Sequence, residues 1–310
     1  MQHVLVTGGC GFIGSNLIPR LLERGRRVRV LDNLSMGDTA LVEGLDLEIL
    51  RGDIRDPEAA ALACRGVDTV VHLAAFGSVV DSVRDPTANF SINAGGTLNM
   101  LQAAVAAGVG QFLFSSTGGA LIGNATPPVN EQSLPRPISP YGAGKLACEA
   151  YLCAFAHSYG LCTKSLRFAN VYGPNSAHKR GAVTAFIKAV WNGDPMRIYG
   201  DGSASRDFLH VDDLCCGILA ALDADLPPAT TLHLASGRET TVLELSRLIA
   251  AVAGRPDHPV EILPARAGEV QRNFATYDLA KKRLGFTPKL ELEHGLQHTW
   301  DWFAARLSRP

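Results

Sequence analysis

The chain is 310 residues long, which is room for about two domains or one large α/β unit and ample for a buried core. Apolar residues make up 46% and charged residues 19%, with 31 glycines and 17 prolines, so a disordered, collagen-like or coiled-coil chain is excluded. Lys and Arg number 29 against 30 Asp and Glu, a formal charge of -1, which gives no global field to hold nucleic acid or an anionic membrane.

The N-terminus runs from Met1-Gln2-His3 straight into the strand-like Val4-Leu5-Val6, without a basic and apolar leader. No later stretch reaches about 18 uninterrupted apolar residues, so the expectation is a cytoplasmic protein with no membrane partner. Further short apolar runs fall at 28–31, 47–50, 69–73 and 112–115. Between them, 12–24, Pro57–Cys64 and 87–107 carry apolar positions near i, i+3 and i+4. Short strands alternating with longer helices predict βαβ units, hence a doubly wound parallel α/β sheet. A helix over about 141–158 and a sixth strand over Cys162–Phe168 continue the pattern. Beyond Asn170, closely spaced Gly-Pro, Gly-Asp and Pro-Pro breaks end the tidy repeat. The expected division is therefore a larger parallel α/β domain over 1–169, with 208–230 returning to it as strand and helix, and a smaller mixed α/β domain over 170–207 and 231–310. Seven cysteines form no CxxC pair and nine histidines no ligand or triad spacing, which predicts reduced thiols and no metal site.

Thr7-Gly8-Gly9-Cys10-Gly11-Phe12-Ile13-Gly14 follows the first strand and opens the first helix. A tight turn, close backbone approach and a helix N-terminus with free N–H groups together suit a pyrophosphate. Asp32 closes the second strand 18 residues after Gly14, where a carboxylate accepts hydrogen bonds from a ribose diol and repels a 2′-phosphate. Asn33 and Leu34 follow in place of a basic residue, so the expected cofactor is NAD. Tyr141 and Lys145 lie four apart on the helix after Pro140, one turn from each other on one face. A nearby ammonium and a positively charged nicotinamide both favour the phenolate of a tyrosine, which then serves as a base toward a substrate alcohol. Ser115-Ser116-Thr117 ends the fifth strand, at the side of a doubly wound sheet where ligands bind. Either Thr117 or Ser116 is placed to bond the reacting oxygen.

With the glycine loop, Asp32, His72-Leu73-Ala74-Ala75, Ser115-Ser116-Thr117 and Tyr141-Gly142-Ala143-Gly144-Lys145 in this order, the chain resembles the extended short-chain dehydrogenase/reductase family nearly end to end. Arg167-Phe168-Ala169-Asn170-Val171-Tyr172-Gly173-Pro174 and the segment from Tyr199-Gly200-Asp201-Gly202 to Arg206-Asp207-Phe208 narrow the likeness to its NAD-dependent nucleotide-sugar epimerases. The resemblance implies a Rossmann-type sheet with a smaller substrate-binding domain, a UDP-sugar substrate, and a homodimer pairing the 87–107 and Tyr141 helices across a two-fold. By the same resemblance Thr117 stands beside the sugar O4 with Ser116 next to it, Tyr141 is the base, and Lys145 orients the nicotinamide ribose. Gly8, Gly11, Phe12, Ile13, Gly14, Asp32, Asn33, Asp53, Ile54, Leu73, Ala74, Ala75, Asn93, Ser115 and Phe168 map to the dinucleotide site. Asn170, Val183, Tyr199, Arg206, Arg266 and Asn273 map to the nucleotide-sugar site, the two arginines as diphosphate clamps.

The branch's dehydratases follow this Thr with an Asp-Glu pair, whereas Gly118 and Gly119 stand here. With no acid or base to deprotonate C5, the resemblance implies 4-epimerisation of a UDP-hexose, glucose/galactose or the N-acetyl forms. A UDP-uronate 4-epimerase or another nucleotide-sugar oxidoreductase is the alternative, and a non-catalytic NAD-sensing protein the remaining one. Two departures bear on the sugar pocket: Ile122-Gly123 replaces the family's Tyr-Gly, and Asn273 falls where a large Tyr excludes 2-acetamido groups.

Overall fold

The computed structural model describes residues 2–266 and 270–307. Its first half is built of β1 (His3–Thr7), α1 (Phe12–Glu23), β2 (Arg27–Asp32), β3 (Glu48–Arg51), α2 (Pro57–Cys64), β4 (Thr69–His72), α3 (Val79–Arg84), α4 (Pro86–Phe90), α5 (Gly96–Ala106) and β5 (Gln111–Thr117). There follow α6 (Pro140–Tyr159), β6 (Cys162–Phe168), β7 (Asn170–Tyr172), α7 (Ala182–Asn192), β8 (Met196–Tyr199), β9 (Ser205–Arg206), β10 (Phe208–His210) and α8 (Val211–Asp223). The chain ends with β11 (Thr230–Leu234), β12 (Thr240–Thr241), α9 (Val242–Val252), β13 (Val260–Leu263), α10 (Asp278–Leu284) and α11 (Leu292–Ala304).

Seven strands form one all-parallel sheet in the order β11-β6-β5-β4-β1-β2-β3, the doubly wound α/β fold expected from the alternation. The pleat sorts the side chains. Val4 and Val6 of β1 join α1 and α8 in one core, while Leu5 between them joins α2, α5 and α6 in the other. The strand order reverses between β1 and β4, which opens a crevice at their carboxyl ends. Smaller ladders, β7 with β10, β9 with β12 and β8 with β13, surround a third core of Phe186, Ile187, Ile198, Leu245, Leu296 and Phe303. After β10, α8 packs on the large sheet and β11 adds its edge strand beside β6.

The helix expected over 87–107 is divided. Asp85 caps α4 by accepting the Ala88 N–H at 2.9 Å, with Pro86 at the first helical position, a cap of about 1 kcal/mol. A π turn over Ser91–Gly95 then separates α4 from α5. Such a turn inserts an extra residue and re-aims the side chains within it, here Asn93. The short α3, ahead of this segment, is six residues long and buries Ser82 rather than its valines, so no periodic pattern reveals it. Among the described residues no helix is long and apolar enough to cross a membrane, and no group of three or more His, Cys, Asp or Glu is placed to hold a metal.

Candidate active site

The loop between β1 and α1 has the backbone the glycine pattern demands. Gly8 has φ +68°, a left-handed conformation that costs other residues, and a Cβ there would press on Ala74 Cα at 2.9 Å. A Cβ at Gly14 would stand 2.5 Å from both Cα and O of Gly9, so the first turn of α1 lies directly on the loop. Gly11 caps α1 without a side-chain hydrogen bond, leaving the first-turn N–H groups of Phe12, Ile13 and Gly14 to face an anion. These features fit a dinucleotide pyrophosphate.

Asp32 ends β2 nearly buried, at 7% exposure, with Oδ2 accepting the Cys10 N–H at 3.0 Å and Oδ1 the Leu34 N–H at 2.8 Å. Its carboxylate thus ties the glycine loop to the segment after β2, with lone pairs left for a diol. Asn33 donates from Nδ2 to Asp53 at 2.9 Å, and the Arg55 guanidinium forks onto Asp53 at 2.9 and 2.7 Å. That fork, opposed only in part by burial, holds the Asp53 carboxyl well below the usual range. Ile54 packs behind it against Gly96, and its carbonyl accepts from Asn99 at 2.7 Å.

Beyond β4, Leu73 donates to the Thr7 carbonyl at 3.1 Å and Ala74 to Thr7 Oγ1 at 3.2 Å. His72 is fully buried between Thr7 Oγ1 at 2.7 Å and Thr97 Oγ1 at 3.1 Å. Burial, with Lys145 adding to it, pushes its imidazole down to about 3, so it is a neutral strut between β1 and α5. Asn93, turned inward by the π turn, accepts the Phe76 N–H at 2.8 Å and donates to the Phe76 carbonyl at 3.2 Å. Asn89 donates to the same carbonyl at 3.0 Å. Together they fix the loop that carries Ala74 and Ala75.

Helix α6 begins with Ser139 capping the Gly142 N–H at 3.2 Å and with Pro140 in its first turn. Gly142 backs on the Ala120 carbonyl with no room for a side chain, which draws Tyr141 and Lys145 close to the end of β5. The Lys145 ammonium, 2% exposed, donates to the Ser115 carbonyl at 2.6 Å and lies 6.0 Å from the Tyr141 ring centre. Burial brings its pKa down to about 8, with Cys148 and Glu149 partly offsetting the fall. Burial, and then Cys148, pushes the Tyr141 phenol upward. At the phenol, burial therefore works against the neighbouring ammonium. Thr117 is partly exposed at the end of β5. Ser115 donates to the His72 carbonyl at 2.9 Å, and Ser116 turns to the opposite face, donating to Glu149 at 2.5 Å.

The sugar-side residues fall into three places. Tyr199 and Arg266 meet, the guanidinium carbon 3.4 Å from the ring centre, in a cavity of about 260 Å³ that Asp201, Ser203 and Gln271 also line. Arg206, on β9, donates to the Ser205 carbonyl at 2.8 Å and the Gln271 carbonyl at 3.4 Å, which ties it to the wall of the same cavity. Asn170 is exposed at the start of β7, its N–H on the Asp207 carbonyl at 2.8 Å. Val183 is 5% exposed in the third core and Phe168 8% exposed under the sheet end, its carbonyl accepting the Gly118 N–H. Their side chains serve packing first. Asn273 is 5% exposed beside Gly119, where a Cβ would lie 3.0 Å from its Oδ1, and its Nδ2 has no partner among the described residues.

Three groups escaped the reading from sequence: Asn89, the Thr7 and Thr97 hydroxyls on His72, and the pair Glu149–Arg167. The last had a visible signal, since Glu149 continues the Tyr141–Lys145 stripe by one more turn.

The model of the NAD dependent epimerase/dehydratase family matches residues 4–233. The chain belongs to this family. It is 36% identical over 312 residues to the UDP-glucose 4-epimerase of Mycolicibacterium smegmatis, covering 97% of this chain and 98% of the relative. The crystal structure of UDP-glucose 4-epimerase with UDP-glucose from Thermotoga maritima superposes with a TM-score of 0.94 at 38% identity, over 99% of this chain and 100% of that one. The crystal structure of the Thermus thermophilus UDP-glucose 4-epimerase in complex with NAD gives 0.93 at 36% identity, over the same shares. NAD is the cofactor of this family.

Proposed function

We propose that the protein is an NAD-dependent UDP-hexose 4-epimerase, interconverting UDP-glucose and UDP-galactose through a transient 4-keto sugar. The observation that carries the reading is the meeting of Tyr141, Lys145 and the end of β5 beside the glycine loop, with Gly118 and Gly119 and no acid after Thr117. Relatives bearing the same name over full length support it. The chemistry the dinucleotide supplies when bound is reversible two-electron oxidation at C4 of the sugar. Phe12, Ile13 and Gly14 bind its pyrophosphate through backbone N–H groups, and Asp32 its adenosine ribose. Tyr141 takes the proton of O4 and returns it, Thr117 hydrogen-bonds the same oxygen, and Lys145 keeps positive charge near the phenol. Arg206 and Arg266 hold the diphosphate, leaving the hexose to turn and present either face. Purified protein is expected to bring UDP-glucose to a mixture with UDP-galactose, resolved by chromatography, with no stoichiometric consumption of NAD. Accumulation of an oxidised sugar with NADH overturns the reading.

Two further expectations follow from named groups. Lys145 carries its charge below about 8, so kcat/KM of the free enzyme is expected to fall as pH rises through that value. A flat profile to pH about 10, near the ordinary lysine value, contradicts a role for the ammonium. Asn273, small and with a buried Nδ2 that has no partner among the described residues, favours a second substrate, a UDP-N-acetylhexosamine. Asn273→Tyr is expected to lower turnover of the acetylated sugar at least about tenfold, the scale of a pocket-size mismatch, while UDP-glucose turnover stays within about threefold. Equal loss on both sugars excludes this reading of the pocket.

We also assign a homodimer in the cytoplasm. Val80 and Val83 on α3, Phe90 on α4, and Tyr151 and Tyr159 on α6 are exposed apolar or aromatic groups on helices that pack together, a face suited to a second copy. The free cysteines suit a reducing compartment.

A further inference from the structure

We propose that Glu149 is a positioning residue for the proton-transfer pair, its buried carboxylate locking helix α6 to the ends of β5 and β6 so that Tyr141 and Lys145 stay in register with Thr117. The inference rests on the 4-epimerase reading for its kinetic consequence and on geometry for its origin. Glu149 lies four residues beyond Lys145 and eight beyond Tyr141, so the three share one stripe of α6. Its Oε1 accepts from Ser116 Oγ at 2.5 Å and from Arg167 Nε at 2.9 Å, and its Oε2 from Arg167 Nη2 at 2.7 Å. Ser116 and Arg167 stand opposite each other in the β5–β6 register. One carboxylate therefore gathers the helix bearing the base, the strand ending in Thr117 and the strand leading to Asn170.

The arrangement is a poor way to add stability. The side chains of Arg167 and Glu149 are only 6% and 9% exposed, and Arg167 Nη1 has no partner among the described residues. A desolvated ion pair repays its own desolvation only with good geometry, and apolar packing often does as well. Its distinctive product is direction: a bidentate fork fixes orientation as well as distance. It also supplies charge. The titratable groups around Lys145 are Tyr141, Cys148 and Glu149 on its own helix and the neutral His72 on β4, with Arg167 held behind Glu149. Removing the carboxylate takes a negative charge from beside Lys145 and leaves the buried Arg167 guanidinium without its partner.

Glu149→Gln keeps the shape and an acceptor for Ser116 but removes the charge and one acceptor of the fork. Its kcat is expected to fall about ten- to a hundredfold, the scale of a small misplacement of reacting groups, with KM for UDP-glucose within about threefold and bound NAD retained. The alkaline limb of kcat/KM is expected to move to lower pH. Lysine-selective NMR supplies a readout apart from turnover: the Lys145 titration moves down in Glu149→Gln in the NAD-loaded protein. Glu149→Gln combined with Arg167→Met removes the buried guanidinium as well, and is expected to return the titration toward that of the parent without restoring kcat. A folded Glu149→Gln protein with unshifted Lys145 titration overturns the proposal, as does parental kcat. A parent protein that does not epimerise UDP-glucose sinks the functional reading instead, and the NMR shift still decides the role of Glu149.

Discussion

Tyr141→Phe is expected to lower kcat by about 10²–10⁴, the contribution of a positioned general acid–base group, while the protein still folds, retains NAD and binds UDP-glucose. The substitution removes one oxygen and little else. The Tyr141 N–H remains on Ser82 Oγ at 3.2 Å, the ring stays where Lys145 faces it, and the Lys145–Ser115 hydrogen bond does not involve the phenol. Steady-state kinetics with calorimetric measurement of UDP-glucose binding separate the lost step from lost affinity. Undiminished turnover in the Phe variant would mean that another group moves the O4 proton.

Gly14→Val is expected to yield protein that purifies without dinucleotide. The new Cβ meets backbone at 2.5 Å on Gly9 and 2.7 Å on the Gly8 carbonyl, and backbone cannot step aside as a side chain does. The first turn of α1 must then move off the loop, and the N–H groups aimed at the pyrophosphate move with it. Each charge-assisted hydrogen bond is worth about 1.5–3 kcal/mol, so misaiming two costs at least about 3 kcal/mol, or a hundredfold in affinity. Forced overpacking adds about 1–3 kcal/mol of destabilisation, seen as a fall of several degrees in Tm. Nucleotide released on denaturation, quantified by chromatography, checks the first effect and a melting curve the second. Full NAD occupancy in the variant would show that the loop tolerates the displacement.

What was legible in the sequence was local or periodic. Strands β1, β4 and β5 are apolar on both faces because each feeds two cores, so they stand out as continuous runs. The glycine loop and Asp32 lie within one βαβ unit, and their spacing carried the cofactor site. The two-residue strands β9 and β12 are visible only once the intervening chain is folded, since nothing local holds Arg206 opposite Thr240. The same is true of β8 against β13. At the site, four-residue spacing placed Tyr141 beside Lys145 but said nothing of how deeply either is buried, and burial sets both of their pKa shifts. Ser116 was grouped with Thr117 as a hydroxyl at the strand end. The period of two sends it to the far face, where a carboxylate from α6 and a guanidinium from β6 wait.

The seventh strand of the large sheet arrives late. Having left β6, the polypeptide travels out through β7 to β10, comes back as α8 and β11, and departs once more toward β12. Later α10 packs back beside α8 and β11 before α11 leaves for the third core, so five covalent crossings join the two halves and no single cut of the chain frees either one whole. A fragment ended after residue 169 would lose α8 and β11 together, baring the flank of β6 as an adhesive rim.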